Sequence, residues 1–173
     1  MRETKDLILK KAELSDWKDM YHNLWIHEES AKYMLWNPTK SEEDAKIRIQ
    51  KTIAYQAKEL YSYLVYEKKS GKAIGFAGMT EIAENVYEDT GIAVGPMFVH
   101  KGYGKQILEE FVHLAFDELG AEKFVTSCRS ENIASKRLQL SCGFTYSYSE
   151  NRVDPRDGTE YVLEFYELHK EKL

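Results

Sequence analysis

The chain has little of what would make it a secreted, metal-held or membrane-embedded protein. Two cysteines, Cys128 and Cys142, stand among 173 residues. That number and spacing make no disulfide framework and no metal site, and the thiols are expected to be reduced. The five histidines, His22, His27, His100, His113 and His169, form neither HxxxH nor HExxH, so no metal is expected. No G-x-S-x-G elbow of a serine hydrolase occurs. No stretch approaches the roughly 20 apolar residues of a membrane helix, so no membrane partner is expected. The start, Met1 to Asp6, is charged and has no apolar run of a signal peptide, so a cytoplasmic location is expected. Positive charge does not dominate: 24 Lys and Arg face 29 Asp and Glu, a formal net charge of -5. General nucleic-acid binding needs a basic face and is not expected. An acidic balance is compatible with a cationic or amine substrate.

What is present suits one domain over residues 1–173: 43% of residues are hydrophobic and 13% aromatic. Leu7 to Leu9 reads as an opening strand. Ser15 or Asp16 caps a helix whose Trp17, Tyr21 and Trp25 share one face. Ser41 starts a second helix, with Asp44 in the capping-box position and Ala45, Ile49, Ile53 and Ala57 as its buried side. The period then changes to that of strands at Leu60 to Tyr66, Ala73 to Met79 and Val86 to Val94. Gly102 to Leu119 is a helix with Ile107, Phe111, Leu114 and Ala115 on one side. Phe124 to Cys128 is a strand, and Asn132 to Cys142 is a helix stopped by Gly143. Phe144 to Ser149 and Tyr161 to Leu168 close the chain. Strand-helix-strand units of these lengths build a mixed α/β sheet with right-handed crossovers. The last strand permits pairing across a homodimer.

The segment from Gly91 to Gln106 runs from a strand into a helix and carries the turn Lys101-Gly102-Tyr103-Gly104-Lys105. A helix start presents unpaired N–H groups and partial positive charge, where phosphates bind. Gly102 and Gly104 bring no Cβ to block a ligand, and Lys101 and Lys105 add charge. A dinucleotide fingerprint needs glycine at 107, where Ile107 stands; a Walker loop needs Ser or Thr at 106, where Gln106 stands. Both are excluded. A plain helix start that uses glycine for packing remains the alternative.

Downstream, Asn132-Ile133-Ala134-Ser135 opens the later helix, and Cys142-Gly143-Phe144 leads out of it. With these elements in this order the chain resembles the GNAT acetyltransferases over about residues 7 to 168. It is most similar to the branch that acetylates ribosomal-protein N-termini and related small amines. Leu7 to Ala12 with Asp16, Tyr33 to Pro38, and Gly75-Phe76-Ala77-Gly78 carry that likeness. The resemblance implies a GNAT-like acyl-CoA N-acyltransferase fold. Its mostly antiparallel central sheet is flanked by helices and splayed between the fourth and fifth predicted strands, which end at Val94 and Cys128. It implies acetyl-CoA as donor and a primary amine as acceptor, joined by direct attack. The amides of Lys101, Gly102, Tyr103, Gly104 and Lys105 would then hold the pyrophosphate. The backbone of Ala93, Val94 and Met97 would pair with the pantetheine arm, and Asn132 would hydrogen-bond it. Ser135 would lie at the thiol end.

Two residues depart from the family. Val99 stands where Arg or Gln is frequent, and Gln139 stands where many members have the tyrosine that protonates the leaving thiolate. An amide donates no acidic proton; for that role the resemblance implies Ser135, the serine three residues after Asn132, with a water as the other candidate. For the base, Asp89 occupies a frequent Glu position, with Glu81, Glu88 and Glu150 as other carboxylates. Strict alternation would set Asp89, Gly91 and Ala93 on one face and Glu88, Thr90 and Ile92 on the other. The Tyr33 to Trp36 cluster reads equally as an acceptor wall or as packing beneath the first helices. The rival from another class is a non-catalytic acyl-CoA-binding or regulatory module, and a purely structural interaction domain is a third.

Overall fold

The computed structural model describes residues 1–173. Strands β1 (Arg2–Glu3) and β2 (Leu7–Lys10) open the chain. Leu7 and Leu9 are buried and their neighbours half-buried, the alternation of a strand with one core face. The first helical segment is broken. Helix α1 (Trp17–Met20) widens into a π-type turn over Tyr21–Trp25, and α2 (Glu28–Ala31) follows. Trp17, Tyr21 and Trp25 still share an apolar cluster with Leu24, Ile49 and Leu64.

Helix α3 (Glu42–Lys58) starts on Ser41, whose Oγ accepts the Asp44 N–H at 3.1 Å. Its buried side runs from Ala45 and Ile49 to Gln56, whereas Ala57 is exposed. Three steps of four residues drift about 120° around a helix, while eleven residues return to within about 20°. Gln56 therefore faces inward, and its Oε1 accepts the Ala12 N–H at 2.7 Å.

Then come β3 (Tyr61–Glu67), β4 (Ala73–Ala83), β5 (Val86–Val94), α4 (Tyr103–His113), β6 (Lys123–Arg129), α5 (Ile133–Ser141), β7 (Thr145–Val153) and β8 (Glu160–His169). They complete one eight-stranded sheet in the order β1-β2-β3-β4-β5-β6-β8-β7. Every neighbouring pair is antiparallel except β5–β6, which is parallel. Helices α1 to α3 cover one face and α4 covers the other, each over its own apolar cluster. Strand β8 lies between β6 and β7, so both its edges are paired. The last strand thus has no free edge to pair across a homodimer; the free edge is that of β7, every residue of which is exposed.

Strands β5 and β6 pair only at Val86↔Lys123, Tyr87↔Phe124 and Glu88↔Val125. Beyond Glu88 they separate, which is the expected splay. On its other side β5 stays on β4, but with one residue too many: Met79 faces Asp89 and Gly78 faces Gly91, leaving Thr90 unopposed. Gly91 takes φ +121°, a region that favours glycine. This bulge corrects the alternation read from sequence. Cross-strand partners share a face, so Asp89 sides with Tyr87 and Ile92 toward α4. Gly91 and Ala93 side with Glu88 toward α1–α3.

Candidate active site

The splay opens into a cavity of about 630 Å³. Strand β5 brings Glu88, Asp89, Gly91 and Ile92 to it; β6 brings Thr126 to Arg129; α5 brings Asn132, Ser135 and Gln139. Three residues predicted from sequence, Asp89, Asn132 and Ser135, thus meet in one chamber. Glu88 lines it too, whereas Glu81 is exposed and accepts the Asn85 N–H at 3.0 Å, and Glu150 is exposed and tied to Arg152.

The Asp89 carboxyl is pushed up to about 8. Burial is the main cause, the negative charge of Glu88 adds to it, and a hydrogen bond from the Ser127 N–H opposes both. Burial raises Glu88 as well, while nearby Arg152 lowers it.

Asn132 caps α5: its Oδ1 accepts the Ser135 N–H at 3.2 Å, which leaves the side-chain NH2 for other partners. Gln139 is buried at 3% exposure. Its Oε1 accepts the Thr126 hydroxyl at 2.8 Å, and its Nε2 donates to Ser135 Oγ at 3.1 Å and toward the Ser127 carbonyl at 3.5 Å. Sequence reading saw in Gln139 only a missing acid. Its buried bridge was hidden because Thr126 and Gln139 are brought together by tertiary packing.

The glycine turn does not line the cavity. It sits about one helical turn away, since α4 begins at Tyr103 and its Leu108 is already a lining residue. Gly102 caps the helix at φ +79° and His100 takes φ +61°, so the chain turns sharply into α4. The Gln106 N–H is the first to reach a carbonyl of the helix, on Gly102 at 3.2 Å, so the amides ahead of it lack a helical partner. A Cβ on Gly102 would meet open space; one on Gly104 would touch Leu138 Cδ2 at 3.2 Å. Only Gly102 faces the open side, and Gly104 is small so that α4 can approach α5. The Tyr103 hydroxyl donates to buried Glu67 at 2.6 Å, and Lys101 Nζ stands 3.9 Å from the same carboxylate. That bond holds Glu67 down and pushes Tyr103 up to about 12. The Tyr103 ring therefore anchors the turn to β3, while Lys101, Gly102 and Lys105 are exposed. Ala93 and Val94 pair with Phe76 and Gly75 of β4 and have no strand on their other side, while Met97 is exposed on a short turn after Pro96.

Tyr33 to Trp36, left with two readings by the sequence, form a wall of the cavity, with Phe76, Tyr161 and Leu163 beside it. The wall is clamped from the far end of the sheet. Arg156 Nη1 donates to the carbonyls of Ala31 at 3.0 Å and Trp36 at 2.8 Å. Asp154, 1% exposed, holds Arg156 and Arg129 at 2.7 Å each. These two cations keep its carboxyl well below the usual range, Arg156 first. Arg129 also lies 3.8 Å over the Tyr161 ring. Behind the wall, the Arg48 guanidinium sits between Trp25 and Trp36, and burial pushes it down to about 10.

A parallel pair that opens at a bulge, beside a glycine-capped helix start, defines the class, and residues 6–145 match the acetyltransferase (GNAT) domain. The chain belongs to the GNAT acetyltransferase family and is an N-acetyltransferase of the transferase class. It is 24% identical to the uncharacterized N-acetyltransferase YnaD of Bacillus subtilis, over 94% of this chain and 92% of that protein. Among solved structures it is similar to the microcin C7 self-immunity acetyltransferase MccE in complex with acetyl-CoA and AMP. There the TM-score is 0.80 at 18% identity, over 96% of this chain and 93% of the other. It is also similar to RimL, the ribosomal L7/L12 alpha-N-protein acetyltransferase, in complex with coenzyme A. That TM-score is 0.77 at 18% identity, over 96% and 95% of the two chains.

Proposed function

We propose that the chain, as one catalytic domain, moves the acetyl group of acetyl-CoA to a primary amine on a protein N-terminus or a small molecule. The observation that carries this reading is the meeting of Asp89, Asn132 and Ser135 in one cavity at the β5–β6 splay. The residues present suit acetyl-CoA. The amides from Lys101 to Lys105, which have no backbone partner, hold its pyrophosphate. The unpaired side of β5 at Ala93 and Val94, with Met97 beyond, takes the pantetheine amides as an added strand. The free NH2 of Asn132 adds a donor.

Acetyl-CoA supplies the acetyl group as a thioester. Asp89 takes a proton from the acceptor ammonium, a role suited to a group titrating near 8. The freed nitrogen attacks the thioester carbonyl directly. As the carbon–sulfur bond breaks, sulfur leaves with the electron pair, and Ser135 gives its hydroxyl proton to it. The second proton of the attacked nitrogen returns to Ser135 by way of water, and Asp89 releases the first to solvent. The sum is ammonium plus thioester giving amide, free thiol and one proton. The Tyr33–Trp36 wall and Phe76 receive the body of the acceptor, and Glu88 with Asp89 attract its charge.

A library of primary amines and peptides incubated with acetyl-CoA tests this reading. Acetylated product from at least one member is expected by mass spectrometry. Acetyl-CoA binding with no product from any member would favour the non-catalytic module instead.

A further inference from the structure

Gln139 has a role that its chemistry as a missing acid conceals. Three residues of α5, Asn132, Ser135 and Gln139, stand at spacings of three and four, so they share one face of the helix. Asn132 fixes the backbone of Ser135 through its N–H. Gln139 fixes the side chain, donating to Ser135 Oγ at 3.1 Å. The Ser127 carbonyl, 3.5 Å from Nε2, only accepts, and it sets which way the amide points; the Thr126 hydroxyl, 2.8 Å from Oε1, can then donate to the oxygen. Thr126 is fully buried and Gln139 nearly so, which keeps water from competing for these bonds.

A serine hydroxyl has one proton and two lone pairs. With Gln139 donating into a lone pair, the Ser135 proton cannot point back along that bond. It is turned to the cavity side, where the Cys128 thiol is its other neighbour. The same N–H also stabilises negative charge on Oγ as the proton leaves. We infer that Gln139 is a positioning residue, which commits the Ser135 hydroxyl proton to the leaving sulfur and supports the oxygen that loses it. This rests on the reading of Ser135 as proton donor given above.

A Gln139→Glu variant separates positioning from packing. Its protonated carboxyl keeps an O–H to donate to Ser135; its ionised form only accepts and draws the serine proton away from the cavity. The titratable and charged groups around the position are Asp89 on β5, Cys128 on β6, Glu164 on β8 and Lys136 on α5. The ratio of variant to wild-type kcat should be close to one at low pH and fall by about 10- to 100-fold as the new carboxyl ionises. KM for acetyl-CoA should not change. Gln139→Met should lower kcat by a similar factor at every pH, and should do nothing further on a Ser135→Ala background. A flat ratio for Gln139→Glu, or an additive effect of Gln139→Met, overturns the inference. Should Gln139→Glu fail to fold, Thr126→Val serves, with a smaller fall in kcat expected and recovery in Thr126→Ser; an unchanged kcat in Thr126→Val overturns the inference. If Ser135→Ala itself leaves kcat unchanged, the assignment of Ser135 is lost and this inference with it. If Ser135→Ala lowers kcat but Gln139→Met does not, only this inference is lost.

Discussion

Asp89 works against the fold that holds it. Its folded pKa of about 8 lies above the roughly 3.9 of an unfolded aspartate. The native state therefore holds a proton that the unfolded chain releases. The contribution of Asp89 to stability is fullest below about pH 4 and is lost by about pH 8. Asp89→Asn removes that loss. Its melting temperature should exceed the wild type's by a margin that widens from about pH 4 to about pH 8, as calorimetry across pH would read. The same variant should lose about 10²- to 10⁴-fold in kcat, the usual worth of a general base. A variant that is less stable at high pH, or equally active, would remove Asp89 from the role. Asp154 is the opposite case: its lowered pKa adds stability that is present above about pH 4 and disappears as pH falls below it.

At the scale of elements, the proposed acceptor wall is tied to a distant hairpin. Arg156 reaches the carbonyls of Ala31 and Trp36 while held by Asp154. A lysine keeps the charge but lacks the planar fork needed for all three partners. Arg156→Lys should raise KM for the acceptor about tenfold, near the worth of one charge-assisted hydrogen bond. Acetyl-CoA affinity should stay the same by calorimetry. The glycine turn makes the converse prediction. Gly102→Ala forces a Cβ into φ +79° at a strain of about 1–2 kcal/mol, and should weaken acetyl-CoA binding with acceptor KM unchanged.

Elements whose signals are local were legible in the sequence. Strand β5 has its predicted bounds of Val86 and Val94, and α5 lies between Asn132 and Cys142 as predicted. Features made by contact between distant elements were not legible. The bulge at Thr90 is a matter of register with β4, which one strand's own pattern does not contain. The Arg156 clamp joins residues 120 or more positions apart. Asn132 and Ser135 were found because capping and family likeness both mark the start of a helix. Thr126 and Gln139 were not, because a buried polar pair carries no spacing of its own.

At the scale of the molecule, α4, α5 and the two splayed strands form one unit around the cavity, and no helix is long and apolar enough to cross a membrane. A ligand that lies along the turn, β5 and α5 would stabilise this unit as a whole. Acetyl-CoA at about 100 times its Kd should add about 2.7 kcal/mol, or roughly 5–10 °C in melting temperature for a chain of this size. No shift at millimolar acetyl-CoA would mean that the cofactor surface is misassigned.

The central claim is that Asp89 and Ser135 serve one transfer in one cavity. It is tested most directly by thiol release from acetyl-CoA with an accepted amine, followed from about pH 6 to about pH 9. The wild type should release thiol only when amine is present, with kcat/KM rising through an apparent pKa near 8. Asp89→Asn should lose that rise, and Ser135→Ala should lower kcat while binding acetyl-CoA as before. Amine-dependent release that is indifferent to both substitutions would contradict the account.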